Sequence, residues 1–349
     1  MGKEPAPRLT GRVGDNLAAL ELVKQLHEQD RPATEQERQV LAGWRSWGAV
    51  PQVFEETSDR ATRLRGLLSD AEWAAARRTT INAHYTDPAI AAAIWSVVLD
   101  LHGRPNRVLE PGCGSGVFFG TAPDGISMMV GVELDPTSAA ITRALYPQPH
   151  FHVRAESFAH SRIPPDAMDV TIGNVPFAKI ALHDPEHNRG RHTMHNHFIL
   201  KSLALTRPGG MVAVLTSRYT LDALDPSARR EMHARADLLA AVRLPSGAHR
   251  AYAGTEAVTD LVVFGVRPAG QPAPDTDWLE SRVDPDLQVP VNGYWRAHPD
   301  AVLGQMRIDA HGVQGRTSLS VIDDPEQRAA LPDRLRAAAV ALAGAVPGS

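Results

Sequence analysis

The sequence has one cysteine and no long apolar run, and each absence excludes a class of protein. Cys113 is the single cysteine among 349 residues, which excludes an intrachain disulfide and a zinc site built on paired cysteines. The longest apolar stretches, 211–216 and 261–266, fall far short of the roughly 20 residues that span a bilayer. The first residues lack the apolar core of a signal peptide, so we expect a cytoplasmic protein without membrane segments.

The chain also lacks a large excess of charge of either sign. It carries 36 Lys and Arg residues against 40 Asp and Glu residues, which gives a formal net charge of −4. This mild acidity argues against a protein whose whole surface grips nucleic acid, although it allows a local basic groove. Net charge alone therefore does not identify a partner.

What is present is a change of pattern along the chain. Residues 1–80 form a predicted helical region, with apolar side chains at helical spacing and Asp70 as the predicted N-cap of one helix. Residues 81–268 alternate helical segments with short β-rich runs, which is typical of a parallel sheet with helices on both faces. Residues 269–349 are predicted to be a Pro-rich linker and a C-terminal extension.

Seven short runs in the middle region are predicted strands. They are 107–112, 128–134, 151–155, 169–174, 211–217, 238–245 and 261–267. The first five alternate with helices, whereas the last two are separated by a loop with Gly247 and Gly254 and are expected to pair antiparallel. The pattern predicts an α/β fold, a doubly wound, seven-stranded Rossmann-like sheet whose last strand is antiparallel.

The first strand runs into a glycine loop that is typical of a nucleotide-like ligand site. Glu110 is followed by Gly112, Gly114 and Gly116 at alternate positions. Glycine is needed where a backbone turns sharply and comes close to a ligand at the switch point of a doubly wound sheet. Val117 replaces the glycine of a dinucleotide fingerprint, so the spacing favours the loop that holds the methionine part of S-adenosylmethionine.

The second strand ends in a carboxylate that suits the same ligand. Glu133 is predicted to accept hydrogen bonds from both ribose hydroxyls of an adenosyl group. Asp135 precedes Pro136 and is the predicted N-cap of the following helix. Cys113 has no base beside it in the sequence, so we expect a small buried packing residue, with a nucleophile as the minor alternative.

The fourth strand ends in the turn Asn174-Val175-Pro176-Phe177, which is the most informative stretch of the chain. The lone pair of an exocyclic amine is delocalised into its aromatic ring, so an enzyme that methylates it must localise that pair. The side-chain oxygen of Asn174 and the backbone carbonyl of Val175 can accept its two N–H groups. Pro176 fixes that carbonyl, and Phe177 is expected to stack on the ring. An ordinary turn is the alternative, which the preceding glycine loop and acid disfavour.

These motifs resemble those of the N6-adenine DNA methyltransferases, whose second motif is usually Asn-Pro-Pro-Tyr or Asn-Pro-Pro-Phe. The stretch 82–88 resembles the family's N-terminal cofactor motif, which implies cofactor contacts from Tyr85 or Thr86. More narrowly, the chain resembles the methylase region of plasmid and phage methylase–helicase fusion proteins of the antirestriction type. The stretches that carry this resemblance are AHYTDP, NVPF, HNHFILKSLALTRPGG, LTSRYTLD, AGTEAVTD and VNGYWRAHPDAVLGQM. The resemblance implies a methyltransferase sheet, S-adenosylmethionine as cofactor, and transfer to N6 of an adenine flipped out of duplex DNA.

The chain departs from the family pattern at three points. Val175 replaces the usual first proline, which the chemistry tolerates because the backbone carbonyl is the acceptor. Glu156 stands at the end of strand three, where the family usually has an Asp for the adenine amine of the cofactor. We expect neither a helicase nor a large target-recognition domain after Val266, so specificity is expected from the leader, the tail, loop insertions or a partner such as a helicase or specificity subunit.

A histidine-rich loop follows the turn. Residues 178–197 contain five histidines, of which His183 and His187 have i,i+4 spacing, but no cysteine or acidic ligand set accompanies them and we predict no metal. We expect a lid over the substrate pocket, with a solvated loop as the alternative. The predicted DNA contacts are Lys179, Arg189, Arg191 and Arg218.

Other interpretations of the same motifs stay open. The planar amide of a protein glutamine poses the same electronic problem as an adenine amine, and adenine in RNA presents the same group. The mild negative charge and the missing recognition domain also fit a non-catalytic cofactor-binding or DNA-binding subunit of a larger helicase, defence or antirestriction complex.

Overall fold

The computed structural model describes residues 11–55, 57–80, 86–248, 258–309 and 318–345. The helices, numbered α1 to α12, are Arg12–Glu28, Glu35–Leu41, Asp59–Leu67, Asp70–Thr79, Pro88–Leu101, Val117–Gly120, Pro136–Leu145, Met194–Leu205, Tyr219–Asp222, Ser227–His233, Gly293–Ala297 and Leu331–Gly344. The strands, numbered β1 to β11, are Arg107–Pro111, Met128–Glu133, Phe151–Ala155, Met168–Asn174, Thr206–Ser217, Ala236–Arg243, Thr259–Val266, Ser281–Val283, Pro290–Asn292, Gln305–Asp309 and Ser318–Ile322. None of the described helices is long and apolar enough to cross a membrane.

Strands β1 to β7 form one mixed sheet in the order β3-β2-β1-β4-β5-β7-β6. Strands β1 to β5 are parallel, and β7 runs antiparallel between β5 and β6. The seven predicted strands and the terminal antiparallel pair are confirmed, and the strand order is that of a Rossmann-like methyltransferase sheet. The order reverses between β1 and β4, so the carboxyl ends of these strands open a crevice at this point.

Helices cover both faces of the sheet. On one face, α5 and α12 contribute Ile94 and Leu335 to a shared apolar cluster. On the other face, α8 and α10 contribute Leu203 and Met232 to a second cluster, which also contains Trp295 of α11. Helices α11 and α12 lie beyond residue 269, so the C-terminal region contributes to the core on both faces. The bounds of the three parts given above stay predictions.

The N-terminal helices α1 to α4 form a third apolar cluster around Trp44, which includes Ile141 of α7 and so joins these helices to the sheet. The start of α4 differs from the sequence-based expectation by one residue. Its N-cap is Ser69 and not Asp70, because the Ser69 hydroxyl accepts the backbone N–H of Glu72 while the Glu72 carboxylate accepts that of Ser69. Asp70 instead lies in the first turn, where a negative charge is favourable.

Candidate active site

A cleft opens at the carboxyl ends of the parallel strands, at the point where the strand order reverses. It holds about 1020 Å³ when counted to its open mouth, a size that suits a nucleotide-like ligand. Its walls come from the glycine loop, the ends of β2, β3 and β4, helix α8 and the N-terminal region. The polar side chains that line it are Ser46, Thr86, Glu110, Ser115, Glu133, Ser138, Glu156, Ser157 and Asn174.

The glycine loop has two tasks, which fall on different glycines. Gly114 lines the cleft with a φ of +53°, and a β-carbon there would meet nothing within 4 Å, so its backbone is open to a ligand. Gly116 precedes α6 with a φ of +76°, and its β-carbon would lie 2.6 Å from Cγ2 of Thr142. The Thr142 hydroxyl donates to the Gly114 carbonyl at 2.7 Å and fixes the loop against α7. Gly112 also lines the cleft, whereas Gly116 allows close packing behind it.

Glu110 is a buried carboxylate at the base of the cleft. It is 2% exposed, and its Oε2 atom accepts no hydrogen bond from any described residue. Burial, and next the nearby charge of Glu133, raise the pKa of the Glu110 carboxyl well above its ordinary range. A buried acid without a donor is costly for the free protein, and a cationic ligand group in the cleft would compensate it.

Glu133 ends β2 and is half-buried in the wall of the cleft. Its two oxygens accept the backbone N–H groups of Gly114 at 2.9 Å and Asp135 at 2.8 Å. Withdrawal from water raises the pKa of Glu133 to about 7, although these hydrogen bonds act in the opposite direction. Each oxygen retains a second lone pair, so the carboxylate can still accept two ligand hydroxyls. Asp135 caps α7 through the N–H groups of residues 137 and 138, as predicted.

A third acid reaches the cleft from the end of β3. Glu156 lines the cleft, and its Oε1 atom accepts no hydrogen bond from the described residues. The nearest cation is Nη1 of Arg154, at 3.8 Å from that oxygen. The structure therefore brings the three predicted acids together around one cavity.

The Asn-Val-Pro-Phe turn lies beside the glycine loop, since a β-carbon on Gly112 would be 3.5 Å from Cδ of Pro176. Asn174 and Pro176 line the cleft, and the N–H of Val175 donates to the Leu215 carbonyl at 3.0 Å, which extends the pairing of β4 with β5 by one residue. The Asn174 Nδ2 atom donates to the Thr86 hydroxyl at 3.1 Å, so the N-terminal cofactor motif and the turn meet. Phe177 is half-buried against the core and is not among the described residues that line the cleft. Tyr85, the other predicted contact, lies outside the described residues.

Cys113 is a buried residue of the glycine loop and lines the cleft. Its burial and then the charge of Glu110 raise the pKa of the thiol well above its ordinary value. A raised pKa disfavours the reactive thiolate, in line with the predicted packing role.

The histidine-rich loop is fastened to α8 through one buried acid. Asp184 accepts hydrogen bonds from Nε2 of His197 at 3.0 Å and from Nζ of Lys201 at 3.1 Å. Burial acts to raise the pKa of Asp184, but these donors hold it well below its ordinary range. Leu182 of this loop and Met194, the first residue of α8, line the cleft. Among the described residues, no three His, Cys, Asp or Glu side chains converge as a metal site would require.

The four predicted DNA contacts separate into two kinds. Lys179, Arg189 and Arg191 are exposed. Arg218 is 7% exposed and donates to Asp222 at 3.1 Å, so the structure does not support it as a phosphate contact. Its guanidinium instead lies 4.3 Å from the centre of the Tyr219 ring.

Several residues of the cleft were missed by the sequence-based prediction. Phe198 of α8 belongs to a stretch that carried the family resemblance, but no role was assigned to it. Ser46 and Ser138 reach the cleft from the N-terminal region and from α7. Single serines without a motif give no signal in a sequence, and only the packing of α1 and α2 on α7 shows their position.

No protein-family model matches the chain. It is 26% identical over 257 residues to the defense against restriction protein B of Escherichia phage P1, an alignment that covers 73% of this chain and 10% of that protein. It is 26% identical over 183 residues to the type II methyltransferase M.XamI of Xanthomonas campestris pv. amaranthicola, which covers 45% of this chain and 33% of that protein. The chain thus spans a tenth and a third of the length of these relatives.

Solved structures with the same kind of fold share little sequence with the chain. One is the methyltransferase subunit of a type I restriction-modification system from Streptococcus thermophilus. It is 14% identical with a TM-score of 0.47, and the match covers 73% of this chain and 66% of that subunit.

Proposed function

We propose that the chain binds S-adenosylmethionine in the cleft and transfers its methyl group to the N6 amine of an adenine flipped out of DNA. The observation that carries the proposal is the meeting of two motifs in one cavity. Three acids and the glycine loop line the cleft, and so do Asn174 and Pro176 of the turn. The names of the two curated relatives, an antirestriction protein and a type II methyltransferase, support DNA as the substrate.

The residues present fit this cofactor. Glu110 would bind its ammonium group, since the buried Oε2 atom has no donor among the described residues. Glu133 would accept the ribose hydroxyls, and Glu156, which also has an oxygen without a donor, would accept the adenine amine. S-adenosylmethionine supplies a methyl group activated by its sulfonium centre.

The turn at the end of β4 would prepare the substrate amine. Asn174 donates to Thr86 through its amide nitrogen. The amide group is planar, so this hydrogen bond also fixes the position of the amide oxygen. Val175 is 1% exposed and bonded to Leu215, which holds the backbone that carries the second acceptor. Two acceptors in fixed positions would engage both N–H groups of the amine and localise its lone pair on nitrogen.

The proposal includes DNA as a partner and a separate helicase or specificity subunit as a source of target choice. The chain as a whole carries a net charge of −4. Phosphate contacts dominate the affinity of proteins for DNA, so a partner that supplies them would compensate for this deficit.

Labelled S-adenosylmethionine, offered with duplex DNA, single-stranded DNA, RNA and cell protein in parallel, tests the proposal. We expect N6-methyladenine in DNA, detected by mass spectrometry after digestion. Label in glutamine of protein or in RNA, with none in DNA, would overturn the substrate assignment. Cofactor binding without transfer to any pool would instead support a non-catalytic subunit.

A further inference from the structure

Ser46 belongs to the N-terminal region and yet lies on the wall of the cleft. It is 6% exposed and has a φ of +56°, in the left-handed region that residues with a β-carbon rarely adopt. Such strain persists only where the surrounding structure enforces it, and it is frequent at ligand sites. Its hydroxyl makes no hydrogen bond to the described residues and is thus available to a ligand.

A buried asparagine of α1 holds this backbone in place. Asn16 is 1% exposed, and its Nδ2 atom donates to the Ser46 carbonyl at 2.8 Å. Its Oδ1 atom accepts the backbone N–H of Arg45 at 2.7 Å. The nitrogen and the oxygen of this buried amide therefore both hold the backbone at residues 45 and 46, which keeps Ser46 at the cleft.

The same segment is attached to α7 beside Glu133. Nε1 of Trp44 donates to the Ser138 hydroxyl at 3.0 Å, and that hydroxyl donates to the Asp135 carboxylate at 2.8 Å. Ser138 and Glu133 line the cleft together with Ser46. Ser46 therefore lies on the β2 side of the cleft, and not on the β4 side that carries the Asn174 turn.

We infer that Ser46 binds the adenosyl half of the cofactor and that the N-terminal helices complete the cofactor site. This inference rests on the proposed function for the identity of the ligand. A hydroxyl both donates and accepts, so it suits a ribose hydroxyl or the polar edge of adenine. Glu110, at the end of β1, would meet the amino-acid half of the same ligand.

The test compares two ligands by isothermal titration calorimetry with the full chain. S-adenosylhomocysteine has both halves of the cofactor, whereas 5′-methylthioadenosine lacks the amino-acid half. Ser46→Ala should weaken both ligands by a similar factor, about three- to tenfold. Glu110→Gln should weaken S-adenosylhomocysteine and leave 5′-methylthioadenosine within about twofold of the wild type.

Two controls separate contact from folding. Ser46→Gly also removes the hydroxyl but accepts a positive φ, so it should show the same loss of affinity without a loss of thermal stability. Ser96→Ala removes an exposed hydroxyl of α5 that bonds only its own helix, and should bind both ligands normally.

The outcomes distinguish the inference from the proposed function. A wild-type chain that binds neither ligand overturns the proposed function. Wild-type affinity in both Ser46 variants overturns the inference alone. So does a loss confined to S-adenosylhomocysteine, because that would place Ser46 at the amino-acid half.

Discussion

Two sets of buried carboxylates lie at the same edge of the sheet and differ in what surrounds them. The first is Glu110 alone, and the second, the paired set, is Asp222 with Asp260. Glu110 is 2% exposed and faces the cleft without a donor on Oε2. Asp222 and Asp260 are 0% exposed, and both are bonded to the guanidinium of Arg243, at 2.9 Å and 2.8 Å. Burial alone therefore does not mark a ligand site. A buried acid that the protein leaves without a partner does.

The paired set has a structural task. The Arg243 guanidinium also lies 4.2 Å from the centre of the Trp295 ring, and Nε1 of Trp295 donates to Asp222 at 3.0 Å. The backbone N–H of Asn292 donates to the same carboxylate at 3.1 Å. These contacts fasten the C-terminal region to the sheet. Buried carboxylates that accept hydrogen bonds from the protein thus join parts of the fold. A buried carboxylate without such a donor can instead bind a ligand.

The largest expected effect comes from breaking the paired set. Arg243→Ala removes the cation bonded to both buried carboxylates and leaves Asp222 with its bond to Arg218, and we expect the free energy of unfolding to fall by about 3–5 kcal/mol. Chemical denaturation measures it. Arg207→Ala, which removes a half-exposed partner of Asp169, is the matched control and should cost less than about 1 kcal/mol. Similar losses in the two variants would contradict the role given to the paired set.

The next effect concerns the turn at the end of β4. If the three acids of the cleft bind the cofactor and the turn acts on the substrate, Asn174→Ala should lose methyl transfer by about a hundredfold to a thousandfold. The affinity for S-adenosylhomocysteine should change by less than about threefold, because Asn174 is not one of the acids. Single-turnover transfer and calorimetry measure the two quantities. Undiminished transfer in this variant would exclude the proposed chemistry.

The sequence predicted which acids meet in the cleft better than it predicted the surroundings of Arg218. Glu110, Glu133 and Glu156 end successive strands, and the parallel order alone brings strand ends to one edge. The burial of Arg218 was not predicted, because its surroundings depend on Asp222 and on a C-terminal region whose packing no local pattern reveals. The approach of the N-terminal region to the cleft was missed for the same reason, since its contacts join residues far apart in the chain.

A smaller effect compares the same chemical change in the two sets. Glu110→Gln removes an acid that burial destabilises, so the free protein should unfold a few degrees higher, with a gain that grows as the pH rises. Its affinity for S-adenosylhomocysteine should fall about tenfold to a hundredfold. Asp222→Asn, the matched change in the paired set, should lower the unfolding temperature and leave that affinity unchanged. If both variants raised the unfolding temperature, or both lowered it, the distinction between the two sets of carboxylates would be wrong.

The smallest effect is the pH dependence of cofactor binding. Withdrawal from water raises the pKa of Glu133 to about 7, so below pH 7 the free protein binds a proton there that the ligand must displace. The affinity for S-adenosylhomocysteine should therefore fall as the pH falls from 8 to 6, by at most about tenfold per pH unit from this group. The same shift makes the folded free protein hold more protons than the unfolded chain between the ordinary pKa of 4.5 and 7, so its stability decreases as the pH rises through that window.

Calorimetry in buffers of different ionisation enthalpy measures the proton released on binding. Glu133→Gln should abolish the part of that release that this carboxyl contributes, and an unchanged release would assign the proton to another group.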